Sequence, residues 1–95
     1  IWDLINDLHP TPAVGGFPQG QALEFIQEHE LFNRGFYAAP VGIITPLQSD
    51  VLVAIRSGLI EHNSLHLFGG AGIVEGSTPL AEWKETTNKM EAMSP

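Results

Sequence analysis

The sequence predicts an α+β fold. Three observations carry this. Apolar residues recur at helical spacing near both ends of the chain, β-rich runs separated by polar turns fill its middle, and the proline- and glycine-rich stretches fall between these segments. The predicted order is helix, loop, helix, three strands, helix.

Ile1 to Leu8 places Trp2, Leu4, Ile5 and Leu8 near i, i+3, i+4 spacing, the signature of an amphipathic helix. No capping residue precedes it and the chain does not start with Met, so a trimmed N-terminus is the expectation. His9 to Pro18 holds three prolines and two glycines, which predicts no regular element. Pro18 suits a first helical position. Gln19 to Glu30 then carries an apolar stripe of Ala22, Leu23, Phe25 and Ile26, a second helix.

Asn33-Arg34-Gly35 is a turn. Phe36 to Ile44 is a strand interrupted by Pro40, which suits an edge or a bulge. Thr45 to Asp50 is a turn, and Val51 to Ile60 is the next strand. Leu65 to Phe68 pairs with it around Glu61 to Ser64, a short polar loop between two β-rich runs. Thr78 is a cap and Pro79 a first helical residue, opening a last helix over Leu80 to Met93.

Composition narrows the function. The chain has 95 residues, with 4 Lys plus Arg against 11 Asp plus Glu and a formal net charge of −7. That balance argues against a phosphate-backbone binder of nucleic acid and against a polybasic membrane-surface segment. No cysteine is present, which excludes disulfides, thiolate metal sites and cysteine nucleophiles. No apolar run approaches the roughly 18 residues of a membrane span. A hydrophobic content of 43% lies above the disordered range, and the length suits one small domain or a piece of a larger one.

Glu82, Glu85 and Lys89 are spaced by three and four and share one face of the last helix. Two readings stand. One is a solvated face with an ordinary Glu85–Lys89 pair. The other is two carboxylates for a hard cation such as Mg²⁺, with an ammonium one turn on for an anionic ligand. Gly69, Gly70 and Gly72 follow a strand, where exposed backbone N–H groups can cradle an anion, or where backbone simply approaches something closely. Arg56 interrupts an apolar run; outward it is solvated, and inward it would grip a carboxylate bidentately. The four histidines form no metal-ligand pattern, and there is no nucleophile elbow.

The strings LHPTPAVGGFP, FNRGFYAAPVG, LVAIRSGLI and LHLFGGAGIVEGSTPLAEWKET together resemble the C-terminal part of the chorismate-utilising enzymes, and within them the isochorismate synthases of the menaquinone-pathway type. The resemblance covers essentially all 95 residues and implies a cytoplasmic enzyme that binds chorismate and Mg²⁺ and adds water to the ring as the 4-hydroxyl leaves. It implies that Glu85, with Glu82 beside it, is a metal ligand. It implies that Arg56 and Lys89 hold substrate carboxylate, and that the Gly70-Ala71-Gly72 turn meets the substrate. Tyr37 matches an aromatic position of many members. Ala13 stands where amine-transferring relatives usually have threonine, which leaves a differently shaped pocket beside the ring; on its own it reads as a packing residue.

In that family the general base, the general acid and a further metal glutamate lie upstream of these motifs. The expectation is therefore a C-terminal fragment without turnover of its own. It would expose apolar sheet edges and self-associate through them. A salicylate synthase or amine-transferring relative, and a non-catalytic interaction module derived from the domain, are the alternatives.

Overall fold

The computed structural model describes residues 1–95. The fold class is α+β, with helices and antiparallel β-hairpins. Contacts divide the chain into two compact units, Ile1–Ala54 and Ile55–Pro95.

The first unit opens with α1 (Trp2–Leu8), whose bounds follow the predicted periodicity. The proline-rich stretch then corrects the expectation of no regular element. Residues Pro12–Gly15 form one helical turn, α2, with Thr11 at the N-cap position and Pro12 just inside. A proline at the first helical position lacks only an N–H that would have no partner there, so the turn tolerates it. Gly16 ends α2 at φ 78°, a conformation that favours glycine. Helix α3 (Gln19–His29) packs on α2: a Cβ at Gly15 would lie 3.2 Å from Leu23 Cδ2, and one at Gly16 would lie 2.6 Å from Ala22 Cβ. Pro18 is the N-cap of α3, one position earlier than predicted.

Strand β1 is Pro40–Ile44 and β2 is Ser49–Val53, paired antiparallel with Pro40 opposite Val53. The predicted strand over Phe36–Ala39 is instead a turn, closed by Tyr37 N–H to Arg34 O (2.9 Å) and Ala39 N–H to Phe36 O (3.1 Å). Pro40 sits at the first residue of its strand, where a missing donor is tolerated. The turn between the strands is shorter than predicted, because Ser49 and Asp50 already belong to β2. Thr45 closes it, its hydroxyl donating to Gln48 O (2.7 Å) and accepting from Gln48 N (3.0 Å).

The predicted single strand Val51–Ile60 is two strands, so there are four rather than three. Strand β2 ends at Val53, and β3 (Ser57–Glu61) is the first element of the second unit. The break is at Arg56, which has φ 46°, in the left-handed region that interrupts any strand. Strand β3 pairs antiparallel with β4 (Ser64–Phe68) through a two-residue His62-Asn63 loop. Both loop residues have positive φ, as a tight hairpin turn matched to strand twist requires. The last helix, α4 (Pro79–Glu91), starts as predicted, with Thr78 Oγ1 accepting from Ala81 N at 3.3 Å. It ends at Glu91, two residues short of the predicted Met93.

Little of this is enclosed. Ala38 is the one buried apolar residue, whereas Trp2, Phe36, Ile60, Leu80 and Trp83 are each at least two-thirds exposed. No helix is long and apolar enough to cross a membrane.

Candidate functional site

In the second unit, α4 and the residue that precedes β3 build one concavity of about 560 Å³. Ala81, Glu85, Asn88 and Ala92, at intervals of four, three and four, form one wall of the helix, with Lys84 and Lys89 beside them and Arg56 contributed from before β3. Three of the chain's four basic residues, Arg56, Lys84 and Lys89, therefore line one cavity of a protein whose net charge is −7.

Lys89 is the tied cation of the three. Its Nζ lies 2.8 Å from Glu85 Oε1 and donates to the Gly70 carbonyl at 3.0 Å. This contact fixes the glycine turn against α4, and the fit is close: a Cβ at Gly69 would sit 3.1 Å from Met90 Cγ. The turn thus meets the helix through the Gly70 carbonyl, while Gly72 faces open space. The side chains of Arg56 and Lys84 make no ion pair or hydrogen bond. Two uncommitted cations with a third nearby are what an anionic ligand requires, since each would gain a partner without breaking an existing one.

Among the predicted residues, the structure brings together Arg56, Glu85, Lys89 and Gly70. Glu82 lies one turn before Glu85 in the first turn of α4, half-buried and outside the cavity lining. Ala13 and Tyr37 belong to the first unit, where Val14 and Tyr37 line a separate cavity of about 200 Å³. Sequence reasoning missed Lys84 and Asn88. Their signal was that Asn88 lies three residues after Glu85 and four after Lys84 on the same helix.

It also missed Arg34. Its Nε and Nη2 donate to the two carboxylate oxygens of Glu30 (2.7 and 2.8 Å), and its Nη1 donates to the Val14 carbonyl (3.0 Å). The hydrogen bonds to Glu30 outweigh partial burial and hold the guanidinium pKa above its ordinary value, so its charge is fixed. The signal was the four-residue spacing of Glu30 and Arg34.

Donor chemistry at Glu82 and Glu85 fits Mg²⁺. Two carboxylates one helical turn apart supply hard oxygens, and this ion keeps several waters in its shell. No three side chains of His, Cys, Asp or Glu are gathered closely enough to complete a shell from protein alone.

Comparison with known proteins matches the chain to one family. Residues 1–95 match the family described as chorismate binding enzyme. Isochorismate synthase MenF of Bacillus subtilis is 52% identical over 94 residues, 98% of this chain and 20% of its own length. The salicylate biosynthesis isochorismate synthase of Pseudomonas aeruginosa is 47% identical over 94 residues, again 98% of this chain and 20% of its own. The chloroplastic isochorismate synthase of Catharanthus roseus is 52% identical over 83 residues, 86% of this chain and 14% of its own. The chain thus spans about a fifth or less of the length of these relatives, and on the match over all its residues it belongs to the family of chorismate binding enzymes.

Proposed function

We propose that these residues form part of the chorismate site of an isochorismate synthase. The observation that supports this most is the gathering of Arg56, Lys84 and Lys89 around one cavity in an acidic chain. Chorismate is a dianion, and two carboxylates need at least two cationic partners. Arg56 would grip one carboxylate through its planar fork, and Lys89 would bind as a point charge while the Gly70 carbonyl orients it. Glu82 and Glu85 would hold Mg²⁺, which when bound neutralises substrate carboxylate charge. With Glu85 engaged in that way, the Lys89 ammonium would be free to turn toward substrate while its bond to the Gly70 carbonyl still holds it.

The reaction named in the relatives is the same whether the product feeds menaquinone or salicylate. The proposal therefore commits to that reaction, and the menaquinone-type assignment is its finer part. Among these 95 residues we assign binding groups only. The proton-transferring groups that this chemistry needs have no counterpart in the matched motifs, so the polypeptide by itself would bind chorismate without turnover.

A second reading, an interaction module without a ligand, is favoured by the large exposed apolar surface. A thermal melt separates the two. Chorismate with Mg²⁺ should raise Tm, a singly charged ring carboxylate such as benzoate should raise it far less, and Arg56→Gln should cancel the difference. No shift with chorismate would favour the module.

A further inference from the structure

We propose that Lys84 is a steering residue: an ammonium kept unpaired beside the α4 cavity, which speeds the arrival of an anionic ligand and does little to hold it once bound. That the ligand is chorismate rests on the function proposed above. That Lys84 is left unpaired stands on the helix itself.

Helical spacing separates the two lysines of α4. Side chains on a helix meet when they stand three or four residues apart, and neighbours one or two apart do not face each other. Lys89 has Glu85 four residues before it, and the pair closes at 2.8 Å. Lys84 has Leu80 and Ala81 at those positions before it, and Thr87 and Asn88 after it, none of them charged. Glu82 and Glu85 are only two and one residues away, and Glu91 lies two turns on, about 10 Å along the axis. Asn88 thus occupies the place where a carboxylate would have neutralised Lys84. The side chains follow this pattern. Lys84 is exposed and bonded to nothing, whereas Lys89 is half-buried and donates to the Gly70 carbonyl.

A free ammonium here answers a problem of charge. The chain carries −7, so its field as a whole repels an anion. The one basic residue of the first unit, Arg34, is already paired with Glu30, and the other three cations all line the α4 cavity. At physiological ionic strength a charge is felt over about 8 Å, so an anion near this cavity senses its cations while more distant carboxylates are screened. Lys84 suits capture better than grip. Its ammonium is compact, strongly hydrated and carried on a flexible stem, without the fixed fork that lets Arg56 hold a carboxylate in one geometry. Exposed charges of this kind change the association rate and its salt dependence, whereas partners desolvated in the complex change dissociation.

The test is a set of NMR titrations of the 95-residue chain, whose line shapes give association and dissociation rates. The ligands are chorismate and phthalate, a plain ring dicarboxylate, each at low and at high salt. The variants are Lys84→Gln and Lys84→Arg, both good helix formers at an exposed position. Lys84→Gln should slow association about fivefold at low salt, leave dissociation unchanged, and match wild type at high salt. Lys84→Arg keeps the charge and should keep the wild-type association rate. An unchanged association rate in Lys84→Gln would overturn the steering role, and so would a loss of affinity carried by faster dissociation. A wild-type chain that binds phthalate but not chorismate would overturn the function proposed above, while the phthalate rates would still decide the role of Lys84. A chain that binds neither would overturn both.

Discussion

Lys89 Nζ stands 2.8 Å from Glu85 Oε1 and 3.0 Å from the Gly70 carbonyl, so one ammonium links a candidate metal ligand to the glycine turn. On the surface of a helix such a pair is worth only a few tenths of a kcal/mol, and here both partners are partly exposed. Its importance is competitive. Lys89→Met removes the cation that already occupies Glu85, so Mg²⁺ titrated alone should bind tighter to the variant than to wild type. The same variant should bind chorismate more weakly. Calorimetry with each ligand separately checks both signs, and a variant that lost affinity for both would contradict the competition.

Arg56 holds φ 46°, a conformation that costs a non-glycine residue of order 1 kcal/mol. Glycine adopts it freely. Arg56→Gly should therefore keep or raise Tm while reducing chorismate affinity at least tenfold. Stability and binding moving in opposite directions would mark strain retained for a ligand contact. A fall in Tm would instead mean that the arginine stem packs in a way that matters to folding.

The His62-Asn63 loop places two side-chain-bearing residues at positive φ, 49° and 64°. Glycine is the preferred second residue of such a turn. Asn63→Gly should stabilise the β3–β4 hairpin by roughly 0.5–1 kcal/mol, seen as a higher denaturation midpoint at unchanged slope. Because the loop lies outside both cavities, chorismate affinity should not change.

We expect the polypeptide to pair with a second copy. Large apolar side chains such as Phe36, Leu47, Ile60 and Trp83 are exposed, and a stable interface needs some 1,200–2,000 Å² in total. Sedimentation across a hundredfold concentration range should show concentration-dependent association, and Ile60→Lys on exposed β3 should weaken it. A monomer throughout would refute this.

What was legible in the sequence was local. Helices α1, α3 and α4 follow their apolar spacing, and the Thr78-Pro79 start is a chemistry of adjacent residues. What was not legible depends on conformation or distance. Nothing in the run VLVAIRSGLI announces that Arg56 turns left-handed, so one strand was read where two exist. The Thr11-Pro12 start of α2 carries the same signal as Thr78-Pro79, but the surrounding prolines and glycines masked it. The spacing of Glu85 and Lys89 showed that they could meet. That Lys89 also reaches Gly70, 19 residues away, and that Arg34 reaches Val14, 20 away, are tertiary facts that no local pattern carries.

The central claim is that Arg56, Lys84 and Lys89 make a cavity for a dianion. Its most direct test is a calorimetric titration of chorismate into the 95-residue chain, with and without Mg²⁺ and at two salt concentrations. The account predicts one site per chain, tightened by Mg²⁺, weakened by salt, and weakened at least tenfold by Arg56→Gln or Lys89→Met. A folded chain that binds no chorismate under any of these conditions, or binds it equally well with both cations replaced, would contradict the account.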